Sequence, residues 1–172
     1  TALDGIAQLL YSGVTKTFTP DAIMKYLDFY MSYESDLKKN AARVYGMRGY
    51  FVPRITAMDS ATFGSVNSAT LHFIASSALA ANLFYAYYLT TGDEKTLRSK
   101  IFPFMHNVFE FYSDFLKLDS SGKYITIPSY SPNATPGNLV AGRPLVNFAL
   151  ASSSTIDFLA LQTLLNNLIS AA

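Results

Sequence analysis

Few side chains in this sequence are equipped for chemistry. Its two histidines, His72 and His106, lie far apart, each in a segment that reads as helix. Neither forms an H-x-x-x-H metal pair or a Ser-His-Asp arrangement, so both read first as structural or surface residues. His72 is the more interesting, because it lies near the start of a long uncharged stretch. Cysteine is absent, which removes thiol nucleophiles, disulfide scaffolds and Cys-built zinc sites. Neither G-x-x-x-x-G-K-[ST] nor G-x-G-x-x-G occurs, so nucleotide phosphate binding has no support. Asp59 and Asp157 are isolated acids in neutral surroundings. An acid placed that way serves a helix cap, a loop hydrogen bond or a bound polar group. Twelve Tyr and thirteen Phe offer ring faces that can stack on the C–H faces of sugars or simply fill a helical core.

The elements that must position these residues are mainly helical. With 172 residues, 50% apolar and 15% charged, the chain has the length of one ordinary domain and too much hydrophobicity for disorder. A net charge of +1 excludes affinity built on phosphate contacts. The one local basic group, Lys38, Lys39, Arg43 and Arg48 beside Glu34 and Asp36, reads as a solvated helix face. Thr19-Pro20-Asp21 starts a helix as cap, first position and first-turn acid, and the spacing predicts it to run to Val44 or Tyr45 and stop at Gly46. Gly46 to Pro53 is an ordered loop or short extended piece. A second helix is predicted over Ser68–Thr91, a short one over Glu94–Lys100, a third from Pro103 to about Leu116, and a last one from Thr155, capped by Ser153 or Ser154. Lys123–Ile127 reads as a short strand, and Pro128–Pro144 as a long structured loop of the kind that carries function.

Between Asp59 and Asp93 there is no charged residue. His72, Ser76, Ser77, Asn82 and the tyrosines within that stretch favour a buried helix over a membrane span, although a membrane-associated module stays open as a reading. At Thr1 the sequence opens on neither an initiator Met nor a signal-peptide pattern, and Leu168–Ala172 reads as ending inside a helix without a stop signal. The expectation is a single fragment, residues 1–172, of a longer protein, prone to aggregate alone.

Four segments, in order, resemble a known family. Asn40-Ala41-Ala42-Arg43-Val44-Tyr45-Gly46-Met47-Arg48-Gly49-Tyr50 is similar to the T-A-R-x-x-Y-G-x-R-G-[WF] of glycoside hydrolase family 95. Tyr88 to Arg98, followed by Ile101-Phe102-Pro103-Phe104-Met105, resembles its Y-L-x-T-G-D-x-x-x-L-R and Y-P-x-[LM]. Gly122 to Thr126 with Pro128-Ser129-Tyr130-Ser131-Pro132 looks like its G-x-[LY]-[VI]-x-x-P-S-x-S-P-E-N. Ser154-Thr155-Ile156-Asp157 resembles its x-T-M-D, and Asn167–Ala172 its N-C-I-x-A-A. The resemblance implies part of an (α/α)6 toroid, with the uncharged helix in the inner ring. It also implies hydrolysis of a terminal α-L-fucoside or α-L-galactoside with inversion, no cofactor or metal, an oligosaccharide or polysaccharide as partner, and a secreted or periplasmic location.

Two departures from the family pattern bear on activity. The Glu of S-P-E-N, the family's general acid, is replaced by Asn133, which cannot donate a proton as an acid. The family's V-A-H-H-N-T-D-[LI]-W loop reads Phe51-Val52-Pro53-Arg54-Ile55-Thr56-Ala57-Met58-Asp59, so Asp59 matches the family acid only across a two-residue insertion. The resemblance thus places Arg54, Asp59, His72, Tyr130 and Asn133 on the sugar, supported by Asp157, with no catalytic acid assigned. The alternative is a glycan-binding pseudoenzyme.

Overall fold

The computed structural model describes residues 13, 20–57, 59–64, 70–131, 139–140, 143–144 and 150–172. Helix α1 (Pro20–Ser32) buries Ile23, Leu27 and Tyr30, with Asp21 in its first turn; the expected Thr19 cap lies outside the described residues. The predicted single helix is two. The Tyr33 amide bonds the Tyr30 carbonyl, three residues back, at 3.1 Å, and the chain restarts as α2 (Glu34–Tyr45). Periodicity reads through this break because Leu37 and Ala41 continue the buried stripe. Gly46 closes α2 in the left-handed region (φ 68°), its amide 2.9 Å from the Ala42 carbonyl.

The Gly46–Pro53 piece then threads between helices. The Tyr50 amide donates to the Asn107 carbonyl (2.9 Å) and the Phe51 amide to that of Leu37 (3.2 Å). A narrow hairpin follows, with Thr56 bridged to Phe63. Buried Asn40 holds it down by donating to the Phe51 and Ala61 carbonyls at 3.2 and 2.8 Å.

The helix expected over Ser68–Thr91 begins later. A 3₁₀ turn (Thr70–His72) precedes α3 (Ala75–Thr91), so His72 sits on the turn, and residues 65–69 are outside the described set. Helix α3 is apolar nearly all round because it packs against α1 and two later helices, α5 (Phe102–Phe115) and α6 (Thr155–Ala171). Asp93 caps α4 (Glu94–Thr96), accepting from the Thr96 amide at 3.0 Å. A π turn (Leu97–Ile101) joins α4 to α5. The predicted strand over Lys123–Ile127 shortens to β2 (Tyr124–Ile125), paired antiparallel with β1 (Lys117–Leu118). Within Pro128–Pro144, β3 (Ser129–Tyr130) pairs antiparallel with β6 (Leu150–Ala151), and β4 (Leu139–Val140) with β5 (Arg143–Pro144). Among the described residues no helix is long and apolar enough to cross a membrane.

Candidate functional site

Segments far apart in sequence converge on the Asp157 carboxyl, which is 0% exposed in the first turn of α6. Thr126 Oγ1 donates to its Oδ2 at 3.0 Å, and Ser129 Oγ donates to the same oxygen at 2.6 Å. The Ala75 amide, at the start of α3, also faces the carboxyl, while Oδ1 has no partner of full hydrogen-bond geometry among the described residues. Burial pushes the Asp157 carboxyl up to about 6, against the downward pull of Ser129, Thr126 and the Ala75 amide. Burial raises the Tyr45 and Tyr112 phenols as well, and the charge of Asp157 adds to the rise.

The local sequence promised something else. Ser154-Thr155-Ile156-Asp157 has the spacing of a capping box, in which each side chain satisfies an amide of its own helix. Ser154 does occupy the cap position, but its side chain makes no cap bond. Its hydroxyl lies 2.5 Å from Ser129 Oγ, and its amide reaches the same oxygen at 3.3 Å. Ser153 turns the chain there in the left-handed region (φ 60°), costly for a residue with a Cβ, and donates its amide to the Thr126 carbonyl at 2.8 Å.

His72 stands on the turn against which β3 packs. The Tyr45 hydroxyl donates to the Leu71 carbonyl at 3.1 Å and lies 3.2 Å from His72 Nδ1. With its one proton given to that carbonyl, the phenol accepts from Nδ1–H, which leaves Nε2 as the acceptor nitrogen. Burial pushes the imidazole below its usual range, so it is neutral at pH 7.

Of the residues singled out from sequence, the fold gathers His72, Tyr130 and Asp157 around β3. Tyr130 is 9% exposed and follows Ser129 directly. Arg54 and Asp59 belong to the neighbouring hairpin, Arg54 partly buried and Asp59 exposed at its turn. The hydrogen bonds of Asp157 go to neither. Asn133 lies outside the described residues. A groove of about 420 Å³ between α5 and α6 and a polar hollow of about 500 Å³ beside Tyr45 contain none of these residues. His106 is exposed on α5.

Sequence reasoning passed over Asn40, Ser76, Ser77, Thr126 and Ser129 as individual functional positions. Ser76 Oγ donates to the Val52 carbonyl at 2.5 Å, and Ser77 Oγ accepts from the Val52 amide at 2.9 Å, tying the loop ahead of Arg54 to α3. The available signal was polarity out of place: two adjacent serines opening a largely apolar helix.

The model of the glycosyl hydrolase family 95 catalytic domain matches residues 7–172. No curated protein matches the chain.

Proposed function

Because the chain belongs to glycosyl hydrolase family 95, we propose that it acts on a terminal α-L-fucoside or related sugar by an inverting mechanism, as part of an (α/α)6 toroid. The observation that carries this reading is the match over nearly the whole chain. In this proposal residues 1–172 are one piece of the catalytic domain. Arg54, Asp59, His72, Tyr130 and Asn133 contact the sugar, and Asp157 stands behind Tyr130. A secreted or periplasmic location rests on the family alone.

Inversion needs an acid and a base separated by roughly 6.5–9.5 Å, with a water between them and the sugar. Asp157 has the raised affinity for a proton that suits a general acid near neutrality. Its complete burial behind Ser129 denies it the glycosidic oxygen, so the proton donor is a different residue. Asp59, exposed at its hairpin, is free of that obstacle. In this proposal neutral His72 offers Nε2 as an acceptor for a sugar hydroxyl.

The test is turnover by the full-length gene product on a panel of α-L-fucosides and α-L-galactosides, with product anomers read by NMR. Inverted product is expected, and Asp59→Ala or Tyr130→Ala should lower kcat/KM at least tenfold with the helical circular dichroism unchanged. Wild-type kinetics in both variants would overturn the site. Asn133 in the acid position favours a second reading, a glycan-binding protein without turnover. Saturable binding of an α-L-fucoside with no product would establish that reading instead.

A further inference from the structure

We infer that Thr126, Ser129 and Asp157 form a positioning latch, which holds β3 and the chain leaving it at Ser131 against the first turns of α3 and α6. The inference deepens the proposed sugar site, on which its consequence for substrate rests, because Tyr130 is the residue the latch sets in place. Three independent features carry it. Both hydroxyls converge on one carboxylate oxygen, at 3.0 and 2.6 Å, from positions 31 and 28 residues away in the chain. Ser154 gives up the capping of its own helix to meet Ser129. Ser153 takes a left-handed backbone that puts its amide on the Thr126 carbonyl. The last two break a local preference, and all three make their tertiary contact with the same six-residue segment, Thr126–Ser131.

The chemistry of the latch is acceptance by Asp157. Its Oδ2 takes two hydroxyl protons while the Ala75 amide faces the carboxyl from α3. Removing the acceptor would leave the buried Thr126 hydroxyl without its acceptor and Ser129 with only Ser154, whereas an amide oxygen in the same place still accepts both hydroxyls. Tyr130 sits one residue beyond Ser129 and is mostly buried, so its direction follows from that grip. Asp157 and Ser129 are therefore positioning residues acting through Tyr130, not groups that touch substrate.

The experiment is hydrogen–deuterium exchange by mass spectrometry on the full-length protein and its Ser129→Ala, Asp157→Ala and Asp157→Asn variants. We expect exchange in Thr126–Ser131 to rise at least tenfold in Ser129→Ala and Asp157→Ala, with α3 and α5 unchanged. Asp157→Asn should return it to within threefold of wild type. If Asp157→Ala does not fold, Ser129→Ala carries the comparison. Unchanged exchange in this segment, or an equal rise throughout the chain, overturns the latch. Titration with an α-L-fucoside on the same samples separates the two readings. The expected exchange pattern in a wild type that binds no sugar supports the latch and overturns the sugar site, whereas sugar binding with unaffected exchange overturns the latch alone.

Discussion

Asp157 shows how one side chain can hold two opposed terms. Two hydroxyls and an amide stabilise its charged form, yet burial outweighs them and its carboxyl is pushed up to about 6. An acid whose affinity for protons is higher folded than unfolded adds stability below its unfolded value near 4, and that stability is lost as pH rises through the folded value. From the ordinary 3.8 of an aspartate to about 6, the swing is about 3 kcal/mol at full ionisation. The difference in unfolding free energy between wild type and Asp157→Asn should therefore move toward the variant by up to that amount between pH 4 and pH 7. Urea denaturation at each pH measures it, and a difference independent of pH would show that Asp157 is not ionised at a cost. A cap at Ser153 or Ser154 and an isolated acid at Asp157 were legible in the sequence, but the diversion of the Ser154 and Asp157 side chains to Ser129 was not, since that partner comes from a strand 25 residues upstream of Ser154.

At the scale of elements, the tight fit of the Gly46–Pro53 segment decides where the hairpin carrying Arg54 and Asp59 is placed. Gly49 lies in the left-handed region, and a Cβ there would come within 2.2 Å of the Asn107 carbonyl oxygen and 2.6 Å of the Phe111 amide nitrogen. Both are backbone atoms of α5, which cannot step aside. Gly92 has the same left-handed φ, but its Cβ position is open. Gly92→Ala should cost about 1 kcal/mol, the penalty of the left-handed conformation alone. Gly49→Ala should cost more than about 2 kcal/mol, because the α5 contact must also give way. Thermal unfolding of the two variants side by side checks this, and equal losses would refute the close approach. Both glycines were visible as breaks in helical pattern. That only one of them abuts a helix backbone was beyond reach, because Asn107 stands 58 residues further along.

Across the whole molecule, α3 is the centre and aromatic rings fill the space around it. Phe104 on α5 is fully buried, with its ring centroid 5.0 Å from that of Phe84, 5.5 Å from Tyr50 and 6.4 Å from Tyr30. One side chain thereby joins α1, α3, α5 and the threaded segment. Phe104→Ala should lose about 3–5 kcal/mol, a large part of the total stability of a single domain. The midpoint of chemical denaturation reads this directly, and a loss below about 1 kcal/mol would mean that the rings do not form one continuous core. The burial of α3 on nearly every side from Ala75 to Ala86 was readable from its lack of charge and the placing of its alanines. Its neighbours were not, because an evenly apolar helix carries no stripe to aim it.

The sequence by itself determined the helical class, the helix stops at Gly46 and Gly92, and the family, because capping, glycine conformation and motif order are local or ordered along the chain. Only the tertiary structure decided the break at Tyr33, the late start of α3 and the pairing of β1 with β2 and β3 with β6. It alone brought Thr126, Ser129, Ser154 and Asp157 to one point. The physical reason is the same in each case. Two-residue strands and buried hydrogen bonds draw their stability from partners distant in the chain, and no local periodicity records which partners those are.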